Sequence, residues 1–524
     1  MNNDSDAVKA EARANLKVYN SLGRELQPFE PLREGFVGIY VCGPTVYGHS
    51  HVGHAKSYVS FDVIVRYLRY LGYQVRYVQN ITDVGHLTDD ADEGEDKVGM
   101  KARQMGIEPM EVAEMYTRSY FEDMDALNVL RPDISPRASG HITEQIEMAR
   151  LLLEQGHAYE AEGNVYFDVG SFEGYGKLSG RSLDDMMAGA RVEVRGDKRH
   201  PADFALWKRA EEGHIMRWPS PWSVGYPGWN LECVVMSTKY LGQPFDIHGG
   251  GIENIFPHHE DEVAQAEAAH GEQFCRYWLH NNMVTVDGQK MGKSLGNFIT
   301  LKDAFAGEPP LEKAVRPLVM RYFILSSHYR SPLDFSAQAL EAAEKGLRRI
   351  ETAVGRVRRG LESDADEAGQ PSEQVASLVK DTREEFLSEM SNDFNTAGAL
   401  GVLSTFTREV NALLDAGPAP AGAADLAALD GLYRELGGEV LGIVTPETRE
   451  RKVVRGSFSL SGTSQLTARA TVTKEPALVD LLLDVREELR EKQEFDLADS
   501  IRQRLEELGI EVQDSPDGPA WQFK

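Results

Sequence analysis

Phe36-Val37-Gly38-Ile39-Tyr40-Val41 runs into Cys42-Gly43-Pro44, and His51-Val52-Gly53-His54 then opens a helical pattern that reaches Leu71 and stops at Gly72. Gln74 to Gln79 is a second short run, leading into Asn80-Ile81-Thr82-Asp83. Two runs of strand length around a helical period describe a strand–helix–strand unit. Such units build doubly wound parallel sheets, in which ligands bind beyond the carboxyl ends of the strands. Cys42 and Thr82 both fall there. The start of the helix offers unpaired N–H groups and positive potential to phosphates. Two imidazoles beside it add hydrogen-bond donors, although H-x-G-H alone also fits two surface histidines.

Further along, residues 136–224 mix short strands, turns and helices and read as an insertion. The sheet resumes near Gly228. Phe245-Asp246-Ile247-His248 is a short strand, and Gly249-Gly250-Gly251 after it allow close backbone approach to a ligand. Ile255 to His270 is helical in pattern. From Pro332 onward the chain turns helical. Leu340, Ala343, Leu347, Ile350, Val354 and Val357 form one stripe. Arg348, Arg349, Arg356, Arg358 and Arg359 lie off it, either as solvated surface or as contacts to an RNA backbone. A Ser-, Thr- and base-rich linker covers 446–475. After Pro476, Leu478, Leu482, Val485 and Leu489 mark one helix face. Leu497, Ile501, Leu505 and Leu508 mark another, ended by Gly509.

At 524 residues the chain has room for roughly three to four domains. A net charge of −27 excludes a generally basic nucleic-acid binder, so any RNA surface must be a local positive patch. The acidic run from Asp89 to Asp96 reads as a solvated loop. No apolar run approaches the ~20 residues that span a bilayer, and the start of the chain lacks signal-peptide features. A cytoplasmic location without membrane contact is the expectation. Three cysteines, Cys42, Cys233 and Cys275, are too few and odd in number for a disulfide framework. In a reducing compartment such thiols are core residues, metal ligands or nucleophiles.

Lys290-Met291-Gly292-Lys293-Ser294 places two ammonium groups in a loop of small residues. That can follow the charge of a transferring phosphoryl group, though it also fits an exposed basic turn. The two basic motifs, in this order and far apart, resemble those of class I aminoacyl-tRNA synthetases. Local sequence narrows the resemblance: Cys42-Gly43-Pro44-Thr45-Val46-Tyr47, Asn80-Ile81-Thr82-Asp83, Asp203-Phe204-Ala205-Leu206-Trp207-Lys208, Gly228-Trp229-Asn230-Leu231-Glu232-Cys233, Asp246-Ile247-His248-Gly249-Gly250-Gly251 and Phe256-Pro257-His258-His259-Glu260. Together they resemble the cysteinyl-tRNA synthetase family, from about Leu16 to the C-terminus and more weakly in the linker.

The resemblance implies an α/β fold: a Rossmann-like doubly wound parallel sheet with an inserted acceptor-end domain, a helical bundle domain and a small C-terminal mixed module. The catalytic domain would be 16–135 with 225–270, and 136–224 the insertion. Residues 271–331 would be a stem-contact region with the lysine loop, 332–445 a helical tRNA-binding domain and 476–524 an anticodon-binding module. It implies one zinc per chain on Cys42, Cys233, His258 and Glu262, the last two sharing a helix face at i and i+4. The substrate L-cysteine would bind that zinc through sulfur. Zinc favours a thiolate over a hydroxyl. Recognition through one strong polar contact rejects an analogue lacking it by ~10⁴–10⁵, roughly 5.5–7 kcal/mol. No editing domain is therefore expected, and the insertion would hold the tRNA acceptor end.

By the same resemblance His51, His54, Lys290 and Lys293 serve ATP, which comes with Mg²⁺, and Thr82 and Trp229 line the amino-acid pocket. Phe495, Asp499 and Asp514 stand where the family reads anticodon bases, by stacking and by carboxylates that accept base protons. Trp521 closes that module. The reaction would be ATP-dependent activation of cysteine and its transfer to tRNA(Cys), carried out by a monomer. Three departures stand out. Gly292 replaces a serine and leaves the rigidity of the lysine loop open. Glu253 stands for aspartate, and Phe495 for tryptophan. The rival reading is a cysteine ligase of thiol biosynthesis, which shares the catalytic half but lacks the C-terminal module.

Overall fold

The computed structural model describes residues 2–85, 87, 96–182, 197–212, 214–292, 295–309, 311, 313–363, 369–416, 422–446 and 448. In the C-terminal part it describes 479, 482–483, 485–486, 489–490, 495–515 and 518–523. The linker 446–475 lies almost wholly outside these residues, as do Lys293 and most of the acidic run. Residues 1–448 form one compact unit and 449–524 another.

Four strands form the central sheet in the order Cys275–Asn281, Phe245–Gly251, Phe36–Val41, Gln74–Gln79, every neighbouring pair parallel. Side-chain alternation along Phe36–Val41 splits the core. Val37, Ile39 and Val41 join the cluster on one face, and Tyr40 joins the cluster on the other. The first face is covered by helix Val52–Tyr70, the second by helices Trp229–Leu241 and His258–His270. Covering on both faces is what a parallel sheet requires. The chain leaves Phe36–Val41 toward one edge of the sheet and Phe245–Gly251 toward the other. These two central strands therefore flank the topological switch point, where such folds bind ligands.

The strand at 245 does not stop before the glycines; it runs through them to Gly251. Their lack of side chains leaves space for protein groups. A Cβ at Gly249 would strike the Phe61 ring, one at Gly250 His259 and Asn254, and one at Gly251 the Glu253 carboxylate.

The insertion carries a five-stranded antiparallel sheet drawn from residues 158–227. After the central sheet, Val284–Val286 turns through Asp287-Gly288, both with positive φ, into Gln289–Lys290. That is the backbone a tight primed turn demands. Leu333–Phe335 pairs with Val284–Val286 in parallel. Helices Ala337–Ser363, Glu373–Ser391, Thr396–Asp415 and Ala423–Leu432 follow. The stripe from Leu340 to Val357 is buried throughout. Two of its arginines are structural: Arg356 donates to Asn411 and Asp415, and Arg358 to Asp430 and the carbonyls of Thr445, Pro446 and Thr448. The C-terminal unit contains helix Phe495–Glu507 and the hairpin Ile510–Ser515 with Gly518–Phe523.

Candidate active site

Cys42 leaves the end of its strand with its amide donating to Gly249 O at 3.0 Å, inside the switch point. Cys233 comes from the first turns of helix Trp229–Leu241, and His258 and Glu262 from the start of the next helix. Their side chains converge. Sγ of Cys42 lies 3.6 Å from His258 Nε2 and 3.9 Å from Glu262 Oε1. Sγ of Cys233 is also 3.6 Å from His258 Nε2. His258 Nε2 and Glu262 Oε1 are 2.9 Å apart. His259 enters the group as well, with Nε2 3.2 Å from the Cys42 sulfur. Donor atoms of Cys42, His258, His259 and Glu262 all fall within 4.8 Å of one another.

The surrounding hydrogen bonds orient these donors. Asn230 Nδ2 donates to Asp261, which turns its Oδ1 toward His258 Nδ1 at 2.6 Å. Nδ1 must then carry a proton, and Nε2 is the ring atom that faces the thiols and the carboxylate. The Trp229 ring stacks on His258, centroids 4.1 Å apart. His248 Nε2 donates to the other Glu262 oxygen at 2.7 Å. Burial alone would raise the Glu262 carboxyl, but His248 and His258 outweigh it and hold it at about 2. Burial pushes the Cys42 thiol up to about 11 and the Cys233 thiol well above its usual range. Two thiols, an oriented imidazole and an ionised carboxylate, all buried except the half-buried Cys42, are a donor set for a thiophilic divalent cation. Such a cation favours the thiolates that burial disfavours.

Thr82 sits beside this cluster. Its hydroxyl donates to Glu232 and receives a bond from Asn80 Nδ2 at 3.1 Å. Asn80 in turn accepts from Gly43 N at 2.7 Å. Burial lifts Glu232 to about 8, against the lowering effect of Thr82.

His51 is the N-cap of helix Val52–Tyr70. Its Nδ1 accepts from Gly53 N and His54 N, and His54 Nδ1 accepts from His51 N. The rings stack at 3.8 Å. With Nδ1 accepting, each neutral ring carries its proton on Nε2, a donor for an anion at the helix start. Burial pulls His54 down to about 4, which keeps it neutral. The lysine loop meets this helix start at its far end, where Val52 N donates to Ile299 O and Leu301 N to Ser50 O. Lys290 is exposed, at the loop entrance. Asn297 bridges the loop, accepting from Gly292 N at 2.8 Å and donating to Lys290 O at 3.1 Å.

Phe495 and Asp499 are both exposed, one turn apart on the last helix. Asp514 belongs to strand Ile510–Ser515, where Val512 opposes Trp521 across the hairpin. Sequence reasoning assigned nothing to Asn230, His248, His259 or Glu232. A histidine between Ile247 and Gly249 of a buried strand was a signal, as were five polar residues in a row, His258 to Glu262, on a buried helix.

Residues 28–345 match the family described as the class I (C) tRNA synthetase catalytic domain, and residues 385–445 match the DALR domain. A cysteine–tRNA ligase of Chlorobaculum tepidum is 52% identical over 98% of this chain and 99% of its own length. One from Deinococcus radiodurans is 49% identical over 97% of this chain and 96% of its own. Among solved structures, a methionyl-tRNA synthetase of Mycobacterium tuberculosis in complex with methionyl-adenylate superposes with a TM-score of 0.56. The match has 16% identity and covers 79% of this chain and 92% of that one, a likeness of fold alone.

Proposed function

The chain belongs to the cysteine–tRNA ligases, class I aminoacyl-tRNA synthetases, and from that membership we propose how its residues divide the work. The enzyme joins cysteine to tRNA at the expense of ATP, releasing AMP and pyrophosphate. The thiol-biosynthesis alternative falls away, because the relatives match nearly end to end and a DALR domain is present.

Zinc is the cation proposed for Cys42, Cys233, His258 and Glu262, with His259 beside them. When bound, it supplies a Lewis acid that holds a thiol as thiolate and has little affinity for a hydroxyl. The protein's own groups do the rest. Asn230 and Trp229 fix His258, His248 fixes Glu262, and Glu232 fixes Thr82 at the pocket wall. In the first step the cysteine carboxylate attacks the α-phosphorus of ATP and pyrophosphate leaves. Nε2–H of His51 and His54, with the helix N-terminus, holds ATP. Lys290 and Lys293 balance the leaving charge together with Mg²⁺. In the second step a hydroxyl of the terminal tRNA ribose attacks the adenylate carbonyl and AMP leaves. The insertion 136–224 takes the acceptor end, and the stem-contact region 271–331 and helices 332–445 the rest of the stem. Phe495, Asp499 and Asp514 read the anticodon. The enzyme acts as a monomer in the cytoplasm, where its three unpaired cysteines stay reduced. Among the described residues no helix is long and apolar enough to cross a membrane.

The observation that carries this reading is the convergence of two thiols, an imidazole and a carboxylate at the switch point of the sheet. Elemental analysis of active enzyme is expected to find one zinc per chain. Cysteine-dependent ATP–pyrophosphate exchange should exceed the serine-dependent rate by ~10⁴ or more. Active enzyme without stoichiometric metal, or serine activated as readily as cysteine, overturns it.

A further inference from the structure

Lys56 lies in helix Val52–Tyr70, two residues past His54, and is only 1% exposed. A lysine so buried needs partners. It has two, both backbone carbonyls: Met283 O at 3.4 Å and Ser331 O in shorter contact. Met283 stands immediately before strand Val284–Val286, which turns directly into Lys290 and the lysine loop. Ser331 stands just before Leu333–Phe335, the parallel partner of that strand. One ammonium group therefore joins the helix of His51 and His54 to the root of the sheet that carries the loop. The far end of the loop is fastened to the same helix start by the Val52–Ile299 and Ser50–Leu301 backbone bonds. Lys56 provides the matching attachment at the near end. Burial lowers its ammonium to about 8 while Glu253 opposes the shift, so it stays mostly charged at neutral pH.

We propose that Lys56 is a positioning residue for adenylation, setting the spacing between the H-V-G-H helix and the lysine loop without touching substrate. The proposal rests on the assignment of those two motifs to ATP. A displacement of 1 Å at a reacting geometry costs about 10²-fold in rate. The penalty belongs to the step that expels pyrophosphate, because the transfer to tRNA has no pyrophosphate to balance.

The test uses the full-length, zinc-loaded enzyme with Lys56→Gln and Lys56→Arg. Lys56→Gln is expected to lower kcat for cysteine-dependent pyrophosphate exchange about 10²-fold. The KM for cysteine, and single-turnover transfer from supplied cysteinyl-adenylate to tRNA, should stay unchanged. Lys56→Arg keeps the charge and two donors and should restore most of the exchange rate. Equal losses in both steps, a change in cysteine KM alone, or unaltered exchange in Lys56→Gln each overturn the proposal. A Lys56→Gln chain that does not fold makes the residue a stabilising one and overturns it too. Lys290→Ala is the control for the underlying assignment. If it leaves exchange intact, the reading of the lysine loop has failed; if it slows exchange while Lys56→Gln does not, only the Lys56 proposal has.

Discussion

His280 belongs to a chain of side chains that runs from the Cys42 sulfur to Ser21. His259 Nε2 meets that sulfur, His259 Nδ1 meets His280 Nε2 at 2.8 Å, and His280 Nδ1 meets Ser21 Oγ at 2.7 Å. Burial, then the neighbouring His248, lowers His280 from the ordinary 6.5 to about 3. Between those two values the unfolded chain takes up a proton at this position that the folded chain refuses. Stability contributed here is complete above pH 6.5 and is lost as pH falls toward 3. The loss approaches about 1.4 kcal/mol per pH unit, about 2 kcal/mol by pH 5. Chemical unfolding at pH 7.5 and pH 5 should show a smaller acid loss in His280→Gln than in the parent chain; equal losses would refute the assignment. At this scale the sequence exposed Cys42, Cys233, His258 and Glu262 because they stand in recognisable motifs. It concealed His259 and Asn230, whose partners His280 and Asp261 lie 21 and 31 residues away, so no local pattern links them.

The helix Val52–Tyr70 is tied to the rest of the catalytic unit by a second buried charge. Asp62 accepts from Arg66, Arg321 and Leu130 N, and Arg321 also donates to the carbonyls of Leu127, Asn128 and Leu441. Asp62 and Arg321 have fully buried side chains. Removing one member of such a pair strands the other, at a cost of about 3–5 kcal/mol. Because Arg66 stays on Asp62, Arg321→Met should fall near the lower bound, about 3 kcal/mol, read from its urea unfolding curve; a curve matching the parent would refute it. Strands and helices here were legible wherever apolar residues repeat, as at Phe36–Val41 and along Leu340–Val357. The strand at 245 was cut short because glycines have no side chains to alternate. The fate of Arg356 and Arg358 was equally hidden, since their partners come from later helices.

At the level of the whole molecule, the break between compact units falls after residue 448, close to the boundary that composition suggested at 446. The first unit contains the thiol–imidazole cluster, both helix-start histidines and the entrance of the lysine loop. A chain ending at residue 448 should therefore keep its cysteine-dependent pyrophosphate exchange while charging tRNA far more weakly. Full charging by the shortened chain would refute the anticodon role of Phe495, Asp499 and Asp514. The break was legible because the Ser- and Thr-rich stretch interrupts the apolar periods on either side of it.

The face-to-face contact of Trp229 with His258 has an optical consequence. Burial alone would lower His258, but Glu262 and Cys233 outweigh it and favour a protonated ring in the metal-free cluster. A metal that takes Nε2 displaces that proton, and so changes the ring against which the indole lies. Among six tryptophans, Trp229 is the one stacked on the cluster's imidazole, and its emission is expected to change when the cluster is filled. The difference spectrum against Trp229→Phe isolates it, with no dye attached.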